Sequence, residues 1–214
     1  MTGRPRAVLA TRNPHKVAEL RRILVGALPD LPPDALVGVA DLPRLGLPDP
    51  GDVVEHEVTF AGNALLKARA LAAATRLVAV ADDSGLGVAV LGGAPGVFSA
   101  RWAGAHGDDG ANLRLLLAQL ADVPDAHRRA WFACAAALVT PDGREEVAEG
   151  RLEGVLAREP RGGGGFGYDP VLVPDGESRT CAELSHAEKD AISHRGRAFR
   201  ALAPRLAAVL PGDL

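Results

Sequence analysis

An apolar run at residues 7–10 passes through a short polar break into a segment whose apolar residues recur at helical spacing. The break is Thr-Arg-Asn-Pro, in which Asn13 suits a helix N-cap and Pro14 suits the first helical position. Further along, Thr59 can cap a second helical pattern, which is followed by another apolar run at residues 77–81. Strands and helices that alternate in this way are typical of an α/β fold.

Two longer strand patterns predict that the sheet is mixed. Residues 131–139 and 147–156 flank the turn sequence Thr-Pro-Asp-Gly at 140–143, so these runs are expected to pair antiparallel. An edge strand is expected at residues 36–39. Further helices are predicted at three places, namely residues 112–120, the segment opened by the Ser185–Glu188 capping box, and the segment after Ser193, bent or interrupted at Pro204.

The composition excludes several classes of protein. Of 214 residues, 47% are hydrophobic and 24% are charged, which is ordinary for a folded protein in water and untypical of disorder or membrane spanning. The net charge of −3 argues against a binder of polymeric nucleic acid. Only two cysteines occur, Cys134 and Cys181, so neither a disulfide scaffold nor a zinc site is expected. The low cysteine content predicts a cytoplasmic location. We find no linker and predict one domain over residues 1–214.

Two consecutive carboxylates follow the apolar run at residues 77–81. We expect the strand to end there, so that Asp82 and Asp83 begin a polar loop at the edge of the sheet where α/β proteins bind ligands. Because side chains alternate along a strand, only one carboxylate is expected to face the site. Such a carboxylate can hold Mg²⁺ or orient water, although a turn in which one aspartate caps a backbone amide has the same local sequence.

Two helix starts carry basic side chains. Lys16 falls in the first turn of the first predicted helix, where unsatisfied backbone amides attract anions. His194 and Arg195 open the last helix, with Lys189 nearby in the sequence. Each segment alone is equally typical of a solvated surface. Together with the carboxylates and a loop of glycines and aromatic residues, they provide the groups that a nucleoside triphosphate with Mg²⁺ requires.

That loop, Gly162–Gly167, contains the spacing GxGxxG but lacks the preceding strand and the following helix of a dinucleotide-binding fold, so we reject the Rossmann interpretation. Its glycines would let the backbone approach a flat ligand, and Phe166 or Tyr168 could stack on a base. Asp169 could accept a hydrogen bond from the base or hold the loop. Burial of Phe166 in the core is the competing interpretation.

Five ordered blocks resemble the inosine triphosphate pyrophosphatase family, also called the dITP/XTP or non-canonical purine NTP pyrophosphatases. The blocks are VLATRNPHK at 8–16, TFAGNALLKA at 59–68, ADDSGL with LGGAPGVFSAR at 81–101, GFGYDP at 165–170, and AEL through ISHRG at 182–196. They extend through nearly the whole chain, so the resemblance does not depend on one motif.

The resemblance implies an α/β fold in which a mixed β-sheet with flanking helices forms two lobes around a central nucleotide-binding cleft. It implies a homodimer that hydrolyses ITP, dITP and XTP to the monophosphate and pyrophosphate with Mg²⁺. Asp83 would bind Mg²⁺ and accept a proton from the attacking water. The substrate would be bound by Thr11, Arg12, Asn13, Pro14, His15, Lys16, Ser84, Phe166, Gly167, Tyr168, Asp169, Lys189, His194 and Arg195.

One departure from the family pattern concerns the second metal ligand. An acidic pair usually precedes the Thr-Phe block, whereas this chain has Glu55 and Glu57 separated by a histidine. Glu55 is our choice and Glu57 the alternative. Asp83 either takes the proton or mainly positions the water, because a carboxylate beside Mg²⁺ loses basicity. Two other functions stay open: hydrolysis of pyrimidine triphosphates, and nucleotide binding without turnover.

Overall fold

The computed structural model describes residues 5–12 and 14–210. The strands are β1 (Ala7–Leu9), β2 (Leu36–Gly38), β3 (Val78–Val88), β4 (Arg129–Val139), β5 (Glu145–Leu156) and β6 (Leu172–Pro174). The helices are α1 (Pro14–Ala27), α2 (Phe60–Thr75), α3 (Asp109–Gln119), α4 (His186–Ile192) and α5 (His194–Val209). The six strands form a sheet in the order β2-β1-β3-β4-β5-β6, with β2 at the predicted edge.

The sheet is mixed, as predicted. Strand β1 pairs in parallel with both β2 and β3, whereas β5 pairs antiparallel with β6. Thr140 N donates to Arg144 O at 3.0 Å, and Leu156 N donates to Arg128 O at 2.9 Å, so β4 and β5 form the expected antiparallel hairpin. The predicted α/β fold with a mixed sheet and flanking helices is therefore confirmed.

Helices α1, α2, α4 and α5 begin where the sequence predicts, and α3 begins three residues before its predicted start. Thr59 Oγ1 accepts a hydrogen bond from Gly62 N at 3.0 Å, and the capping box joins Ser185 to Glu188 at the start of α4. Pro14 is the first residue of α1, while Asn13, its predicted cap, lies outside the described residues. The helix after Ser193 is expected to be bent or interrupted at Pro204; an interruption is wrong, because α5 continues through this residue, and a bend stays a prediction. Pro204 lies on the exposed side of the helix, where water can satisfy the carbonyl that loses its partner.

The predicted loop at Asp82 is also wrong, because β3 continues to Val88. Leu86 and Val88 are fully buried, and this apolar anchorage beyond the polar residues keeps the chain extended. Strand β1 ends sooner: Leu9 lies opposite Val80, and no further residue of β1 follows it. The two aspartates therefore lie within a strand, immediately past the carboxyl end of its parallel neighbour.

The chain divides into two compact units, each with its own apolar core. The first comprises residues 1–83, 135–149 and 196–214, and the second comprises residues 84–134 and 150–195. Ala64, Leu71 and Val8 belong to the core of the first unit. Leu116 and Phe132 belong to the core of the second. A single domain over residues 1–214 stays a prediction. No helix in the described ranges is long and apolar enough to cross a membrane.

The second unit contains a buried arginine whose guanidinium binds main-chain carbonyls. Arg128 is 2% exposed, and its three nitrogens donate to Leu120 O, Leu156 O and Ala157 O at 2.7 to 2.9 Å. Burial lowers the pKa of Arg128. The side chain thereby connects the end of α3 to the end of β5.

Candidate active site

The side chains of Asp82 and Asp83 differ in their surroundings, as alternation along β3 predicts. Asp82 is 3% exposed. Asp83 instead accepts a hydrogen bond from Asn63 Nδ2 at 3.1 Å, and its Oδ1 lies 3.7 Å from Lys67 Nζ. Asn63 and Lys67 are four residues apart on α2, so they lie on the same face of that helix.

Lys67 joins two carboxylates. Its Nζ lies 2.8 Å from Glu55 Oε1 as well as near Asp83, and only 17% of its side chain is exposed. Lys67 lies in the block at residues 59–68 but is not among the residues predicted to form the site. The Asn-x-x-x-Lys spacing after the Thr59 cap was the available signal, since it places an amide and an ammonium group on one helix face.

The charges around Asp83 act in opposite directions on its pKa. Burial raises the pKa of Asp83. The charge of Lys67 and the hydrogen bond from Asn63 lower this pKa, whereas the charges of Glu55 and Asp82 raise it. The pKa of Asp83 is raised on balance. For Lys67, burial lowers the pKa, but the surrounding carboxylates outweigh it and raise the pKa. Lys67 is therefore held charged, and Asp83 is more basic than an ordinary aspartate.

The structure separates the two candidates for the second carboxylate. Glu55 contacts Lys67, whereas Glu57 packs against the first turn of α2. A Cβ on Gly62 would lie 2.7 Å from Glu57 Cβ, so glycine is what admits this side chain. Glu57 N donates to Asn63 Oδ1 at 3.0 Å. Glu55 is thus the glutamate that lies with Asp83 around one cation.

The carboxylate pair fits the needs of Mg²⁺. Within the described residues, no group of three or more His, Cys, Asp or Glu side chains could hold a metal ion. Mg²⁺ in phosphate-binding enzymes is usually held by one or two carboxylates, with substrate oxygens and water completing its shell. Glu55 and Asp83 supply that number of hard oxygen ligands.

In the second unit, Asp169 fixes the glycine-rich loop. Asp169 is 2% exposed, and its Oδ2 accepts hydrogen bonds from Phe166 N at 2.9 Å and Lys189 Nζ at 2.5 Å. A Cβ on Gly165 would lie 2.1 Å from the same oxygen. Of the two roles considered for Asp169, the geometry therefore favours holding the loop.

Phe166 is exposed among cations, which contradicts its interpretation as core. Its side chain is 42% exposed, with Lys189 Nζ 5.4 Å and Arg195 Cζ 5.6 Å from the ring centroid. Arg195 Nη2 also donates to Ser84 Oγ at 3.0 Å. The ring of His194 lies 4.9 Å from that of Phe132. The distances of Lys189 and Arg195 are within cation–π range, so these two cations and the exposed ring form one cluster, whereas His194 packs against the buried Phe132.

Tyr168 is placed differently from a stacking residue. It is 5% exposed, and its hydroxyl donates to Ser99 O at 2.9 Å. Burial raises the pKa of Tyr168, and the charge of Asp109 adds to that effect. Tyr168 therefore supports the loop, and Phe166 is the aromatic residue that presents its ring.

The segment 11–16 is only partly described. Arg12 donates to both oxygens of Asp49 at 2.7 and 2.9 Å and to Asp52 at 3.0 Å. Lys16 is half-buried in the first turn of α1, and Thr11 precedes that helix. Asn13 and the side chains of Pro14 and His15 lie outside the described residues. Arg12 thus has two carboxylate partners where the sequence suggested a phosphate.

The described residues include two carboxylates that share a lysine, and an exposed aromatic ring among cations. Groups of these kinds are typical of nucleotide-hydrolysing enzymes. The sequence model of the Ham1 family matches residues 7–205. A protein of Streptomyces coelicolor named dITP/XTP pyrophosphatase is 65% identical over 199 residues, which cover 93% of this chain and 96% of that one. A Mycobacterium tuberculosis protein of the same name is 56% identical over 208 residues, covering 96% and 97%.

Solved structures agree with the sequence comparisons. The crystal structure of a nucleoside-triphosphatase, dITP/XTP pyrophosphatase, from Mycobacterium abscessus has a TM-score of 0.73 and 52% identity, covering 93% of this chain and 99% of that one. A HAM1 protein from Coxiella burnetii has a TM-score of 0.81 and 39% identity, covering 96% and 100%. This chain belongs to the Ham1 family, and the resemblance inferred from its five blocks is confirmed.

Proposed function

We propose that the protein is a nucleoside triphosphate pyrophosphatase that hydrolyses ITP, dITP and XTP to the monophosphate and pyrophosphate. Relatives named dITP/XTP pyrophosphatase are 53% to 66% identical to it over nearly the whole chain, which supports this assignment. The observation that carries it is the pair Glu55 and Asp83, which share the ammonium group of Lys67. Hydrolysis of a phosphoanhydride needs charge neutralisation and an activated water, and no side-chain nucleophile.

Glu55 and Asp83 are the proposed ligands of Mg²⁺. When bound, Mg²⁺ would neutralise charge on the phosphate oxygens. Asp83 orients the attacking water and either accepts its proton or mainly positions it. The pKa of Asp83 is raised without the metal, whereas Mg²⁺ beside the carboxylate would lower its basicity. Lys67 keeps the two carboxylates in place and adds positive charge.

The start of α1 is the proposed phosphate-binding segment. Thr11, Lys16 and the backbone amides of the first turn provide donors and positive charge. We assign Asn13, Pro14 and His15 to the same segment on the family resemblance. Arg12 would bind phosphate only by exchanging Asp49 and Asp52 for it.

The cluster around Phe166 is the proposed base-binding group. The ring of Phe166 stacks on the base, and Ser84, Lys189, His194 and Arg195 complete the nucleotide contacts together with the loop that contains Gly167, Tyr168 and Asp169. A donor aimed at the 6-oxo group of hypoxanthine or xanthine rejects the 6-amino group of adenine, since a buried unpaired donor costs about 1–3 kcal/mol.

A substrate panel tests this function. Release of pyrophosphate is measured with ITP, dITP, XTP, ATP, GTP and dUTP, with and without MgCl₂. We expect the first three to have the highest kcat/KM and to require Mg²⁺. Preference for dUTP would favour pyrimidine hydrolysis, and saturable binding without product would favour a regulator. Orthophosphate as the first product would overturn the proposal.

A homodimer and a cytoplasmic location belong to the same proposal. The family resemblance supports the dimer. The small number of cysteines, two in 214 residues, supports the cytoplasmic location. Light scattering on the purified protein tests the dimer, since a monomer mass at micromolar concentration would contradict it. Cell fractionation tests the location.

A further inference from the structure

Two carboxylates hold consecutive backbone amides of the loop that carries Phe166. Phe166 N donates to Asp169, as described above, and Gly167 N donates to Asp109 Oδ2 at 2.8 Å. Asp109 lies 58 residues earlier in the chain, at the first position of α3. The fold therefore brings in a distant side chain to fix the residue that follows Phe166.

Asp109 is not the cap of its own helix. Asp108 has that role, because its Oδ1 accepts a hydrogen bond from Ala111 N at 2.8 Å. The helix dipole favours a carboxylate at the position of Asp109, but the hydrogen bond of that carboxylate is made to Gly167. Of the two neighbouring aspartates, Asp108 therefore caps the helix and Asp109 binds the loop.

The ring of Phe166 depends on its backbone for position. With 42% of the side chain exposed, packing contributes less to holding the ring than it would in a core. The loop is anchored at Phe166 and at the two residues that follow it: Asp169 accepts from Phe166 N, Asp109 accepts from Gly167 N, and the hydroxyl of Tyr168 donates to Ser99 O. Losing one anchor increases the number of loop conformations that the nucleotide must select from.

We propose that Asp109 is a positioning residue for nucleotide binding, which holds the amide of Gly167 so that Phe166 is preorganised to stack on the base. This inference rests on the proposed base-binding role of Phe166. Asp109 contacts the loop and not the reacting atoms, so its loss affects the KM and not the kcat.

Kinetics with ITP and dITP test the proposal in four variants. Asp109→Ala is expected to raise the KM about tenfold, with the kcat within about twofold of wild type. Asp109→Asn retains a side-chain oxygen that can accept from Gly167 N, so it restores most of the affinity. Asp108→Ala is the matched control, because it removes the cap of the same helix: its Tm falls while its KM is unchanged. Phe166→Ala raises the KM.

The Asp109→Ala change is then repeated in the Phe166→Ala background, where it is expected to have almost no further effect on the KM. If Phe166→Ala raises the KM and Asp109→Ala does not, the positioning role is overturned and the base-binding role stands. An undiminished tenfold effect in the double variant also overturns the positioning role. An unchanged KM in Phe166→Ala overturns the proposed base-binding role itself.

Discussion

Replacing Gly165 by alanine tests whether Asp169 is a fixed point of the glycine-rich loop. Gly165 has φ +72°, a conformation that costs an L-residue about 1 kcal/mol. The new Cβ would lie 2.1 Å from Asp169 Oδ2 and 2.8 Å from its Cγ, so the carboxylate must move. Because Asp169 is buried and bound to Lys189, breaking that ion pair costs about 3 kcal/mol more.

Gly167→Ala is the matched control for stability. Gly167 also has a positive φ, +61°, but a Cβ there meets no atom within 4 Å. Its cost is therefore the backbone conformation alone, about 1 kcal/mol. The two variants should differ by about 3 kcal/mol in the free energy of unfolding, or about 6–12 °C in Tm for a chain of this size.

Thermal and urea unfolding, followed by circular dichroism, measure this difference. Wild type, Gly165→Ala and Gly167→Ala are compared in the same buffer. If the free energies of unfolding of the two alanine variants differ by less than about 1 kcal/mol, Asp169 can move away from the new Cβ without loss of stability. The buried ion pair is then not what fixes the loop.

Asp83→Asn is expected to keep the Tm and to lose at least about 100-fold in kcat, because an amide cannot accept the proton of water; pyrophosphate release from dITP measures it. Lys67→Met removes the cation shared by Glu55 and Asp83, so the Tm falls, and MgCl₂ raises the Tm of this variant more than that of wild type. Equal responses to MgCl₂ would argue against metal binding by this pair. Asp41→Asn lowers stability by about 1 kcal/mol, because the amide oxygen can still accept from Gly38 N but lacks the charge that strengthens this hydrogen bond and pairs with Arg21. That hydrogen bond lowers the pKa of Asp41 below its usual 3.8, so the contribution is present above pH 3.8 and is lost as pH falls through the lowered pKa; a Tm difference from wild type that did not shrink in acid would refute it.

The order of the elements could be predicted from sequence because several of their boundaries are set by contacts between neighbouring residues. Thr59 caps α2 through its own hydroxyl, and the Ser185–Glu188 box opens α4 through two reciprocal hydrogen bonds. The turn at 140–143 lies between two apolar runs, so it specified the hairpin. Such signals involve residues within four positions of each other, and one sequence contains them completely.

The sequence-based predictions were wrong or incomplete where contacts with distant residues determine the structure. Asp82 and Asp83 resembled the start of a loop, but β3 continues because Leu86 and Val88 are buried in the core of the second unit. Lys67 resembled an ordinary helical lysine, and only the fold shows it between Glu55 and Asp83. The local sequence records neither burial nor a partner that is 12 or 16 residues away.

At the C-terminal end of α3, a residue outside the helix binds one of the last main-chain carbonyls. The last turn of α3 has no basic residue and no glycine follows it, so two of the usual local stop signals are missing, although Pro124 follows five residues after Gln119. Arg128 contributes to the termination, because its guanidinium donates to the carbonyl of Leu120 and is held by the carbonyls of Leu156 and Ala157 at the end of β5. Val123 N also donates to Leu120 O. A synthetic peptide of residues 108–122 lacks the hydrogen bond from Arg128. We therefore expect the C-terminal end of its helix to be frayed near Gln119 in solution. In the protein, the end of this helix is fixed in part by Arg128, which the carbonyls at the end of β5 hold in place.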